Sequence, residues 1–132
     1  MTIFLYSIAA AAVLIYVPFL VVGYGRMQVG YDISAPRAMF DKLPPLAQRA
    51  TWAHQNSFEA FMIFTAAALM AYVTGVNSPI AAGAAVTFIV ARLLYSAFYI
   101  FNVPILRSLM FVVGSLGSAT LMAFSIMEVT NK

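Results

Sequence analysis

The chain has 132 residues, 64% of them hydrophobic and 8% charged, with a formal net charge of +3. A soluble domain is nearer half apolar and a quarter charged, so a mean hydropathy of +0.94 excludes an ordinary water-coated globule and sends the excess apolar surface to lipid. With no cysteine and one histidine, disulfides, thiolate chemistry and a histidine-rich metal site within one chain are excluded, and the modest positive charge reads as an orientation signal, not as nucleic-acid affinity.

A bilayer core about 30 Å thick is crossed by roughly 20 helical residues. Residues 3–25 carry no charge and form the first expected span, with Pro18 as its bend. No basic residue precedes this run and it is too long for the apolar region of a signal peptide, so it is expected to be a retained helix. A polar stretch over residues 26–48 follows, holding Arg26, Asp32, Arg37, Asp41, Lys42 and the pair Pro44-Pro45. Pro45 suits the first turn of a helix because its missing N–H has no partner there in any case. The second helix is expected over residues 46–74. Gly75 then takes a left-handed cap, Asn77 or Ser78 caps the next helix, and Pro79 opens it. The third helix is expected over 78–101 and the fourth over 104–127, divided by Asn102-Val103-Pro104. Apolar runs that do not alternate with polar residues, as over 60–74 and 108–127, argue against a membrane barrel. The fold class is therefore all-α, a four-helix membrane bundle forming one domain over residues 1–132.

Arg26, Arg37, Lys42, Arg49 and Arg107 fall on the side of the first loop, and Arg92 in the half of the third helix nearest it, leaving Lys132 alone opposite. Basic residues stay cytoplasmic, which places the first loop in the cytoplasm and both termini outside it.

Charges within a span are costly and mark function by default. Glu59 lies about 24 Å before the turn at Gly75, and Arg92 about 20 Å after Pro79, at 1.5 Å per residue. The matching heights predict a buried Glu59–Arg92 ion pair, which either pins the two helices, serves a ligand, or does both. Arg49, Asn56 and Glu59 form one helical stripe and Arg92, Tyr95 and Tyr99 another, with Ser96 beside it and Arg107 opening the fourth helix. Arginines, an amide, a carboxylate and two phenols suit a small anionic ligand with amide groups. The same tyrosines also fit an interfacial aromatic belt, and Arg49 and Arg107 also fit snorkelling to headgroups. His54 lies about 140° from Arg49 around the helix and reads as a satisfied polar residue, not a catalyst. Gly114, Gly117 and Ser118 read as close helix packing.

The run Arg49-Ala-Thr-Trp52-Ala-His54-Gln55-Asn56-Ser57-Phe-Glu59 resembles the helix-two signature of the MAPEG family, the membrane-associated proteins of eicosanoid and glutathione metabolism. Ala91-Arg92-Leu-Leu-Tyr95-Ser-Ala-Phe-Tyr99 resembles its helix-three signature, and Arg107-Ser108 the Arg-Ser near the start of helix four. Order and spacing agree over nearly the whole chain, and the chain reads like the short bacterial branch. The resemblance implies a homotrimer in the bacterial inner membrane, with glutathione bound between subunits near the cytoplasmic side. It implies that Arg26, Arg49, Asn56, Glu59, Arg92, Tyr95 and Tyr99 line or brace that site and that Arg107 stabilises the thiolate. A guanidinium beside a thiol lowers its pKa. The thiolate then attacks a lipophilic electrophile from the bilayer or reduces a hydroperoxide.

The departures are local. Glutathione-binding members often carry arginine where this chain has Trp52 or Gln55, and the prostaglandin-forming enzymes have aspartate where it has Ser57. The spacing from Tyr99 to Arg107 differs by a residue from the animal enzymes. Charge-assisted bonds contribute roughly 1.5–3 kcal/mol each, so losing the arginines weakens glutathione binding. The expected activity is a membrane-bound glutathione-dependent transferase or peroxidase, with lipids and hydrophobic small molecules as further partners. The alternative is a non-catalytic member of the same fold that binds a lipid or a protein. A channel is disfavoured, because the charges gather at one end.

Overall fold

The computed structural model describes residues 2–132 and contains four long helices. These are α1 (Thr2–Gln28), α2 (Pro45–Thr74), α3 (Pro79–Ile100) and α4 (Pro104–Thr130), with a short 3-10 helix, Pro36–Lys42, between α1 and α2. All four are long and apolar enough to cross a membrane. The protein is an integral, multi-pass membrane protein of the all-α class.

Proline opens three of the four helices, Pro45, Pro79 and Pro104, each where an N–H has no intrahelical partner. At the α2–α3 turn Gly75 adopts φ +79°, and the Val76 N–H returns to the Ala71 carbonyl at 3.0 Å. That geometry closes α2 and needs glycine at the left-handed position. The Ser78 hydroxyl then accepts from the Ile80 and Ala81 amides to start α3. At the α3–α4 turn Asn102 takes φ +60°, which asparagine tolerates better than other side chains.

α1 packs closely on α2 and α3 on α4. The seam is built from small residues. Ala67, Ala68, Ala71, Ala81 and Ala85 are fully buried, which lets the helix backbones approach one another around Phe64, Phe88 and Leu121. The Phe64 and Phe88 rings stack at 3.9 Å, nearly parallel. Gly117 is required by the α3–α4 approach, since a Cβ there would stand 2.9 Å from the Ala84 carbonyl oxygen. At most 39% of the apolar window of any helix is buried within the chain. The remaining apolar surface faces outward, towards lipid or further copies.

Candidate functional site

The polar side chains of the bundle gather at the end that carries the first loop. There the 3-10 helix lies over the gap between α1 and α2, and beneath it is a cavity of about 670 Å3. Arg26 from α1, Arg37 and Phe40 from the 3-10 helix, and Trp52, His54 and Gln55 from α2 contribute to its lining. Arg26 is buried, its guanidinium 5.8 Å from the centre of the Phe19 ring, and its Nε has no partner. His54 sits among Tyr16, Phe19 and Phe58, with Nδ1 2.7 Å from the Ile15 carbonyl oxygen. It is thus a satisfied polar residue, and also part of the cavity wall.

Trp52 joins this cavity to the start of α4. Its ring lies 5.5 Å from Phe40 on one side and 6.4 Å from Tyr99 on the other. The Arg107 guanidinium covers the Tyr99 ring at 4.7 Å, and Tyr99 meets Tyr95 edge to face at 5.7 Å. The Arg92 guanidinium in turn covers Tyr95 at 4.0 Å. A continuous row of aromatic rings therefore orients the two arginines that the sequence singled out on α3 and α4. Arg49 is committed to the fold, donating its Nε to the Ile100 carbonyl at 2.9 Å and tying α2 to the end of α3.

The expected Glu59–Arg92 ion pair is not formed. Among the described residues the one ion pair is Lys132–Glu128 at 3.9 Å, at the far end of the bundle. Arg92 is buried and donates from Nη2 to the Ser57 hydroxyl at 3.4 Å, whereas Glu59 is exposed and accepts from Asn56 Nδ2 at 3.4 Å. Arg92 does meet α2 at the expected height, since residue 57 is one turn or less from residue 59. It meets a different face of that helix. Two residues turn a helix by about 200°, so a group meeting Ser57 faces away from Glu59. The buried positions Ala47, Ala50, Ala53 and Ser57 recur every three or four residues and mark the inward face of α2. That small-residue stripe was the sequence signal for Arg92's partner.

Asn56 and Glu59 instead line a second, narrower groove of about 270 Å3, with Phe111, Ser115 and Ser118 of α4. The Asn56 Oδ1 is buried without a partner. Hence the single chain brings together Arg107, Tyr99, Tyr95 and Arg92, and brings Arg26 to the neighbouring cavity, but sets Asn56 and Glu59 in a different recess. Sequence reasoning missed Phe40 and Arg37, which reach the site only because the 3-10 helix folds back over α2.

A four-span bundle with this charge distribution is matched over residues 3–127 by the family model described as the MAPEG family. The chain belongs to the MAPEG family. No curated protein and no solved structure matches it. The MAPEG family includes glutathione transferases and peroxidases among other membrane proteins. In this MAPEG protein the cavity wall on α2 carries no arginine, lysine or acidic residue from Thr51 to Phe58.

Proposed function

We propose that the protein is a membrane-bound, glutathione-dependent transferase or peroxidase acting on lipophilic electrophiles or hydroperoxides. One observation carries the reading: Arg107 is held over Tyr99, one ring away from Trp52 and the cavity that Arg26 lines. A guanidinium in that position favours the thiolate over the thiol, because the ionised sulfur gains a countercharge in a site of low dielectric. In the transferase reaction the thiolate attacks an electrophilic carbon, a carbon–sulfur bond forms, and the leaving group departs with its electron pair. In the peroxidase reaction it attacks the terminal oxygen of a hydroperoxide, releasing an alcohol after protonation. The resulting sulfenic acid then condenses with a second thiol to give disulfide and water. Tyr95, Tyr99, Asn56 and Glu59 supply hydroxyl, amide and carboxylate groups for the amides and ammonium of the tripeptide.

Asn56 and Glu59 open to a different recess from Arg26, so a site using all of them is assembled between copies. This supports an assembly of copies, which we propose to be a homotrimer. The basic loop end is placed in the cytoplasm by the positive-inside rule, in a bacterial inner membrane. Arg49, bonded to the chain end of α3, braces the site and is not assigned a ligand contact.

The test is turnover of glutathione with a chromogenic electrophile by purified protein. Arg107→Ala is expected to lower kcat/KM by about 100-fold, the loss typical of removing one charged stabiliser of a developing anion. An unchanged rate removes Arg107 from the mechanism. The uncharged α2 wall favours a second reading, a non-catalytic member that binds a lipid or a protein. Glutathione neither bound nor turned over is its signature.

A further inference from the structure

The cavity under the 3-10 helix has an uneven charge distribution. Its cations, Arg26 and Arg37, come from the end of α1 and from the 3-10 helix, and no acidic residue lines it. Arg26 is 9% exposed with its Nε buried and unpartnered. A buried donor of that kind calls for an acceptor, and a carboxylate is the strongest one available.

The opposite wall, on α2, is of another nature. Thr51, Trp52, His54, Gln55 and Phe58 are all uncharged there. The Thr51 hydroxyl already donates to the Ala47 carbonyl at 2.9 Å. His54 Nδ1 lies 2.7 Å from the Ile15 carbonyl oxygen, which can only accept, so Nδ1 carries a hydrogen and is spent within the fold. An ionised carboxylate is acceptor-only. Set against this wall it would meet no arginine or lysine, and a charge removed from water without a countercharge is strongly disfavoured. The other arginines near this end, Arg49, Arg92 and Arg107, do not line this cavity, and Arg49 and Arg92 donate within the fold to the Ile100 carbonyl and the Ser57 hydroxyl.

We propose that this cavity selects a thiol that presents one carboxylate to Arg26 and Arg37 and a neutral, hydrogen-bond-donating body to the Trp52–Gln55 wall, in preference to glutathione with its two carboxylates. The inference rests on the thiol-dependent reading above and names the class of thiol. The ring plane of Trp52 supports planar or hydroxylated groups, and Gln55 donates or accepts.

Trp52 is the single tryptophan of the chain and stands in the cavity wall, so its emission reports occupancy directly. The full-length protein in nanodiscs is titrated with glutathione and with each of its two monoethyl esters. One ester is expected to bind at least as tightly as glutathione. Gln55→Arg is expected to tighten glutathione by about tenfold or more while moving the better ester less than about threefold, the range set by one charge-assisted bond. Arg26→Gln is expected to weaken every thiol that binds. Gln55 is exposed, so its substitution does not disturb the core. If glutathione binds tenfold tighter than both esters, or Gln55→Arg leaves glutathione unmoved, the selectivity is wrong and the thiol-dependent function stands. If none of the three thiols binds at millimolar concentration, both fall together.

Discussion

Arg92 is a permanent cation inside an apolar bundle, and its neighbours explain how it is tolerated. The guanidinium lies over the Tyr95 ring at 4.0 Å and donates to the Ser57 hydroxyl, which passes its own hydrogen to the Ala53 carbonyl at 2.8 Å. Neutral partners thus spread the charge without an acid. A desolvated cation–ring contact is worth roughly 2 kcal/mol and truncating a long buried side chain to alanine costs about 2–5 kcal/mol. Arg92→Ala is therefore expected to lower the melting temperature clearly, whereas Arg92→Met, which keeps the volume and removes the buried charge, is expected to preserve it. Glu59→Gln is expected to shift it by less than about 2 °C, because the acid is exposed and not paired with Arg92. A large loss on Glu59→Gln in a thermal melt would restore the ion pair.

The helices are held in register by their ends and by the few places where they nearly touch. Lys132 Nζ donates to the Thr74 carbonyl at 2.8 Å, placing a cation at the C-terminal end of α2, where the helix dipole favours it. Gly117 sets the spacing of α3 and α4. Gly117→Ala puts a methyl 2.9 Å from the Ala84 oxygen and is expected to cost about 1–3 kcal/mol. Gly83 on the same pair of helices has open space around the added atom. Gly83→Ala is expected to be neutral or to stabilise by up to about 1 kcal/mol, through helix propensity. Equal melting temperatures for the two variants would show that the α3–α4 seam has slack.

Much of the apolar surface of each span lies outside the chain's own core, and two recesses with polar side chains in largely apolar walls open between different helices. A charge such as Glu59 does not rest against hydrocarbon without cost. An assembly of copies would reduce that cost if it set a donor or a cation from a neighbouring copy against Glu59. Cross-linking in mild detergent is therefore expected to trap a three-copy species, and a monomer as the end point would overturn the assembled site.

The spans, the all-α class and the gathering of Arg92, Tyr95, Tyr99 and Arg107 at one end of the bundle were legible in the sequence. Apolar run length, proline at helix starts and glycine at the α2 cap are local physics, and the chain obeys them: α2 runs Pro45–Thr74 against the expected 46–74. α1 and α4 continue about a turn beyond their apolar runs, to Gln28 and Thr130, because a helix ends where its capping bonds end and not where hydrophobicity does. Only the tertiary structure decided which charges meet. Height along a helix follows from counting residues, but the facing direction depends on how helices rotate against one another. That rotation is set by packing of Ala50, Ala53, Gly114 and Gly117, whose small side chains give weak signals one at a time. Hence Arg92 turned to Ser57 instead of Glu59, and the loop folded back to bring Arg37 and Phe40 over Trp52.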